Sequence, residues 1–139
     1  MSQSAYIVFV EGSEQEKLTL DEIKQQLLHY REQMALTGRQ LNWDYADAAF
    51  PYVLAARPGE EDQWFYLEGR DPMYRFILFG TGSSAVDGTQ RHHIQIVLPE
   101  GATHGDKAKA NELCKFIAKR LKAQLRLFNG RTLHYNPRK

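Results

Sequence analysis

The feature that constrains this chain most is the run Ala5-Tyr-Ile-Val-Phe-Val10, dense in β-branched and aromatic residues and apolar at every position. Alternate residues of a strand point to opposite faces, so a run with no polar face belongs inside a sheet rather than at its edge. Whatever else the chain does, it must cover both sides of this segment.

Two later segments are amphipathic helices, and each needs an apolar surface to lie on. Thr19 to Leu36 opens with a capping box, Thr19 and Glu22, and carries Leu20, Ile23, Leu27, Tyr30 and Met34 on one stripe. Gly38 supplies the expected left-handed stop. The second helix is expected from Asp106 to Asn129, capped by Thr103 or Asp106 and ended by Gly130. Its stripe holds Leu113, Cys114, Ile117, Leu121, Leu125 and Phe128.

Between the helices the sequence reads as short strands broken by turns. These are Tyr52 to Arg57, Gln63 to Glu68, Tyr74 to Phe79 and His92 to Leu98, with Thr132 to Tyr135 adding a last one. Gly80 to Arg91 reads as a long polar loop. Leu41 to Phe50 is ambiguous, either a short helix from Asp44 to Phe50 or a loop packing Trp43 and Phe50 on the core. The order β-α-β-β-β-β-α-β predicts one α+β domain spanning 1–139. Its architecture would be a two-layer sandwich, a mostly antiparallel sheet with both long helices on one face.

Composition narrows the class. The chain has 139 residues, 42% hydrophobic and 25% charged, which excludes a disordered chain and a collagen-like one. One cysteine, Cys114, excludes an internal disulfide. No apolar run approaches a membrane span, and Met1 to Tyr6 lacks the basic start of a signal peptide, so the expectation is a soluble cytoplasmic protein. The formal net charge of +1 hides a split of −7 over residues 1–100 and +8 over residues 101–139.

Three segments, Ser4-Ala-Tyr-Ile-Val-Phe-Val-Glu-Gly12, Leu18-Thr-Leu-Asp-Glu-Ile-Lys24 and Leu41-Asn-Trp-Asp-Tyr-Ala-Asp-Ala-Ala-Phe-Pro-Tyr52, resemble a small conserved-protein family of Bacillus-type bacteria, a domain of unknown function. The resemblance runs along nearly the whole chain. It implies a bacterial, cytoplasmic α/β two-layer protein with no assigned activity, and it brings no functional residues.

The chemistry-bearing residues do not form a catalytic pattern. His92 and His93 are adjacent in a strand and point to opposite faces. No metal-ligand spacing links them to His104 or Cys114, so neither a metal nor a cofactor is expected. Gly80-Thr-Gly-Ser-Ser84 lacks the Lys-Ser/Thr and the helix of a phosphate loop. Cys114 falls on an apolar helix face, where a thiol is inert.

Two patches remain. Lys115, Lys119, Lys122 and Arg126 are spaced 4, 3 and 4 and would form one basic helix stripe, a candidate polyanion-binding surface that could also be a solvated face. The sheet gives the second. Two helices on one side cannot cover strands that are apolar on both sides, so the other face calls for a cover. Trp64, Tyr66, Tyr74 and Phe76 are the candidate protein interface, and a homodimer is expected, with the segment Leu41–Phe50 as the competing cover. The expected function is a non-catalytic binding or protein-interaction module. The alternatives are a nucleic-acid-associated protein using the basic stripe and a small enzyme with its site near the 80–91 loop.

Overall fold

Seven antiparallel strands stand in the order β2-β3-β4-β5-β1-β6-β7 in the computed structural model, which describes residues 3–40, 50, 52–56, 64–86 and 88–136. The strands are β1 (Gln3–Val8), β2 (Tyr52–Ala55), β3 (Trp64–Asp71), β4 (Tyr74–Val86), β5 (Thr89–Leu98), β6 (Gln124–Arg126) and β7 (Thr132–His134). The helices are α1 (Leu20–Gln40) and α2 (His104–Leu121). β1 does sit inside the sheet, between β5 and β6.

Both helices lie on one face. The core joins Ile23, Leu27 and Tyr30 of α1 and Leu113, Ile117 and Leu121 of α2 to Ala5, Ile7, Phe65, Leu67, Ile77, Phe79, Ile94, Ile96 and Leu125 of the sheet. These strand residues are alternate ones, so a single face is buried. The two-layer α+β architecture is therefore as expected. No helix among the described residues is long and apolar enough to cross a membrane.

Helix α1 begins as its sequence dictates. The Thr19 hydroxyl accepts from the Glu22 amide at 3.2 Å, and the Glu22 carboxyl accepts from the Thr19 amide at 3.0 Å. Its end differs: Gly38 is no stop, because the helix continues to Gln40. A glycine inside the last turns costs only about 1 kcal/mol, and helical geometry persists through it.

Helix α2 ends at Leu121, eight residues short of the expected Asn129. Lys122 takes the left-handed conformation (φ 52°, ψ 44°) and returns its amide to Ala118 and Lys119. The next residues pair with β1 as β6, with Tyr6 opposite Arg126 and Val8 opposite Gln124. The open edge of β1 competes for this segment and wins, because Leu125 is fully buried on β6 and the ladder satisfies backbone groups that a free helix end would leave to water. The turn after β1 reinforces the stop. The Glu14 amide donates to the Leu121 carbonyl at 2.8 Å, and the Ser13 hydroxyl donates to the Lys122 carbonyl at 3.1 Å.

The expected 80–91 loop is a hairpin instead. β4 runs on to Val86 and β5 starts at Thr89, with Gly88 at φ 77° in the connection. Its strands pair from Thr81–Ile94 to Val86–Thr89. Among the described residues β3 pairs no further than Gly80 and β1 no further than the bond from the Phe9 amide to the His92 carbonyl, so beyond these the hairpin is a two-stranded ribbon. The segment named in the enzyme alternative is thus a pair of hydrogen-bonded strands rather than a loop.

Candidate functional site

The face of the sheet away from the helices is built by strict alternation. Cross-strand pairing sets Trp64 of β3, Gly80 of β4, Gln95 of β5, Tyr6 of β1 and Arg126 of β6 in one row. The neighbouring row is Tyr66, Leu78, Val97 and Ser4, and the next pairs Glu68 with Phe76. On the other side lies the row of Gly82, His93, Val8 and Gln124. No described element lies over these residues, and Phe76 is 37% exposed.

Specific contacts hold the rings in place. The six-membered ring of Trp64 lies over Gly80, where an added Cβ would stand 2.5 Å from it, so this row requires a glycine beneath the indole. Tyr66 meets Phe76 edge to face at 6.0 Å, and Tyr6 meets His93 edge to face at 5.3 Å. The Gln95 amide donates to Ser4 at 3.2 Å and to the Tyr6 hydroxyl at 3.4 Å.

Three of the four expected interface residues, Trp64, Tyr66 and Phe76, thus share this face. Tyr74 does not. It packs on the helix side, edge to face with Tyr52 at 5.6 Å and beside Gly105 at the start of α2. A bulge lies beside it, where β3 takes three steps from Glu68 to Asp71 and β4 two from Phe76 to Tyr74. Gly69 sits in that bulge, where a Cβ would collide with the Tyr74 carbonyl oxygen.

The basic stripe is likewise divided. Lys115 and Lys119 are exposed on α2, while Lys122 is its cap residue and pairs with Glu14 at 3.0 Å. Arg126 lies on β6 with its side chain on the opposite, open face, because the helix ends before it. The four cations are not one surface.

At the β6 side the open face is concave, a hollow of about 580 Å³ lined by Tyr6, Val8, Ser84, His93, Gln95 and Arg126. A second hollow, about 710 Å³, opens on the helix side between the start of α1 and the hairpin, lined by Lys17, Lys24, Thr81, Ser83 and His92 among others. The His93 ring lies by Gly82 and Tyr6 on the open face, while the lining of the helix-side hollow includes both His92 and His93. No group of three or more metal-ligating side chains converges among the described residues. Trp43, Tyr45, Asp44 and Asp47 lie outside the described residues. Phe50 is buried on the helix side against Tyr30 and Tyr52.

Burial, and then the neighbouring His92, hold His93 below the ordinary imidazole value of 6.5. The folded state therefore binds its proton less readily than the unfolded chain does. This contribution to stability is present above the ordinary value and is lost as pH falls below it. Urea melts of wild type should lose stability from pH 7.5 to 5.5 by more than those of His93→Gln; parallel losses would remove His93 as a cause. Cys114 is fully buried, and burial pushes its thiol up to about 12. It should stay unmodified by iodoacetamide in native buffer and react fully in denaturant; labelling of the native protein at the denatured rate would contradict this placement.

Residues 3–137 match the model of the family described as Domain of unknown function (DUF1885). A solved structure, that of a protein of unknown function from Bacillus stearothermophilus, is 38% identical. The match covers 84% of this chain and 88% of that one, with a TM-score of 0.55. No curated protein matches.

Proposed function

The chain belongs to the DUF1885 family, and from the geometry of its sheet we propose that it is a non-catalytic protein-interaction module whose working surface is the open face. One observation carries this reading: Trp64, Tyr66, Phe76, Leu78, Val97 and Val8 stand together on a face that no described element covers, while both helices are used on the other side. A contiguous apolar patch of this kind marks a contact surface. Its centre lacks formal charge among the described residues, as the centre of a protein interface does, with Glu68 and Arg126 at its margins. Of the candidate nucleophiles, Cys114 is buried, and the Ser83 hydroxyl accepts from Gln90 at 2.8 Å while Ser83 stands opposite His92 across the ladder of β4 and β5.

The test is site-specific photocrosslinking in the cells that make the protein, with a benzophenone side chain at Phe76 or at Lys115. Protein adducts from position 76 and none from 115 are the expected outcome. Adducts from 115 alone, or from neither, would overturn the reading.

A further inference from the structure

We propose that the hollow at the β6 side of the open face is a binding site for a small organic acid, a carboxylate on an apolar body. The site lies beside the aromatic patch of the interaction reading and does not depend on that reading.

Cross-strand register builds its floor. Tyr6 stands between Gln95 and Arg126, and Val8 stands between His93 and Gln124. Two adjacent rows thus bring two rings, a guanidinium and two side-chain amides to one place, and Ser84 and Ala85 of the hairpin ribbon add to the lining. The rings are held before any ligand arrives. The His93 ring lies over Gly82, where an added Cβ would stand 2.8 Å from its Nε2, and it meets the Tyr6 ring edge to face. The Gln95 side chain donates to the Tyr6 hydroxyl at 3.4 Å. Side chains already in place lose less freedom on binding.

Hydrogen-bond donors dominate the hollow, and they select the ligand. The Tyr6 oxygen accepts from Gln95, so its own hydrogen is left to donate, and no described residue takes it. The guanidinium of Arg126 and the side-chain amide of Gln124 likewise have no partner among the described residues. No carboxylate is among the lining residues. A guanidinium presents paired N–H groups that match the two oxygens of a carboxylate, and such charge-assisted bonds are roughly twice as strong as neutral ones. Arg126 is the one formal charge in the described lining, because His93, held below the ordinary imidazole value, is neutral at pH 7.5. A single charge suits a carboxylate better than a phosphate monoester, which carries about −1.5 to −2 near neutral pH. The hollow of about 580 Å³ is far larger than a carboxylate and falls in the range of small-molecule pockets. Val8, Ala85 and the Tyr6 ring offer apolar surface to the rest of the molecule.

Amide chemical shifts of the isotope-labelled full chain test the proposal, titrated at pH 7.5 with sodium benzoate and, separately, with sodium chloride of equal ionic strength. Benzoate should shift Tyr6, His93, Gln95 and Arg126 along one saturating curve with a Kd of about 10 mM or below. Arg126→Gln should weaken binding about tenfold or more and Tyr6→Phe about threefold, the losses that follow from removing a charged and a neutral hydrogen bond. Circular dichroism melts check that both variants fold. Arg126→Lys keeps the charge but loses the fork, so it should bind less tightly than wild type and more tightly than Arg126→Gln. Lys115→Gln, on the exposed side of α2, should bind as wild type does. Shifts that do not saturate, shifts that chloride reproduces, binding that Arg126→Gln leaves unchanged, or an equal response to inorganic phosphate would each overturn the proposal. If benzoate fails to bind while Arg126→Glu removes the adducts from position 76, the acid belongs to a partner protein; the interaction reading then stands and the small-acid site falls.

Discussion

Asp106→Ala is expected to destabilise the protein by about 3–5 kcal/mol, as removal of one member of a buried, fully satisfied polar cluster does. Asp106 is fully buried near the start of α2. Its carboxyl accepts from the Tyr52 hydroxyl at 2.6 Å, from the Arg75 amide at 2.9 Å, from the Thr103 amide at 3.0 Å and from the Phe76 amide at 3.4 Å. The Thr103 hydroxyl in turn accepts from the Asp106 amide at 3.0 Å. One side chain therefore caps α2, anchors the beginning of β4 and seats Tyr52 of β2. Alanine would leave donors from three segments without an acceptor in a dry place, each costing about 1–3 kcal/mol before water enters to relieve some of it. Asp106→Asn keeps the shape and one acceptor oxygen but turns an NH₂ toward N–H donors, so it should cost less than alanine and still more than 1 kcal/mol. Urea melts measure both. A loss below about 1 kcal/mol for alanine would mean that the cluster is not a clamp.

The sequence shows half of that cluster. Thr103 and Asp106 stand at cap spacing and both qualify for the helix start, and the structure uses both in one capping box. What sequence cannot display is that the same carboxyl also receives Arg75 and Phe76, about thirty positions away. Long-range partners leave no periodic trace. The same division holds across the fold. Ala5–Val10 declares an interior strand because no polar face exists in it, and β1 does lie between two neighbours. Leu121 and Leu125, by contrast, are spaced as a helix stripe and also as the end of a helix followed by a strand. Only the open edge of β1 decides between these, and that is a tertiary fact.

The hairpin of β4 and β5 shows a signal that was present and outweighed. Asp87-Gly88 is a two-residue turn signature, but the surrounding Gly, Ser and Thr residues read as loop. They are strand residues here because a projecting ribbon is wet on both faces and asks for no apolar alternation. The open-face site was legible as a need, since one helix layer cannot cover two apolar faces. Its membership was not fully legible. Tyr6, Leu78, Gln95 and Val97 join it through register, and Tyr74 leaves it at the first residue of β4 to pack on Tyr52.

The second large effect separates stability from contact on a single strand. Phe79→Ala is expected to cost about 3–5 kcal/mol, the usual range for truncating a buried phenylalanine. Its ring is fully buried and stacks on Phe65, its cross-strand partner, at 5.3 Å and 6° between planes. The ammonium of Lys24 stands 5.3 Å from the centre of the Phe65 ring, so the ring pair also ties α1 to the sheet. Truncation leaves a cavity under α1 that the neighbouring Ile77 and Ile96 are too constrained by their strands to fill. Leu78, one residue earlier, points the opposite way and sits half-buried on the open face. The two substitutions should therefore fail in opposite assays. Phe79→Ala should lower the urea midpoint sharply, while the protein that remains folded still gives adducts from a benzophenone at position 76. Leu78→Glu should leave the melt within about 1 kcal/mol of wild type, as surface substitutions do, and remove those adducts. If Phe79→Ala instead melts within about 1 kcal/mol of wild type, the face buried under the helices has been assigned to the wrong side of β4.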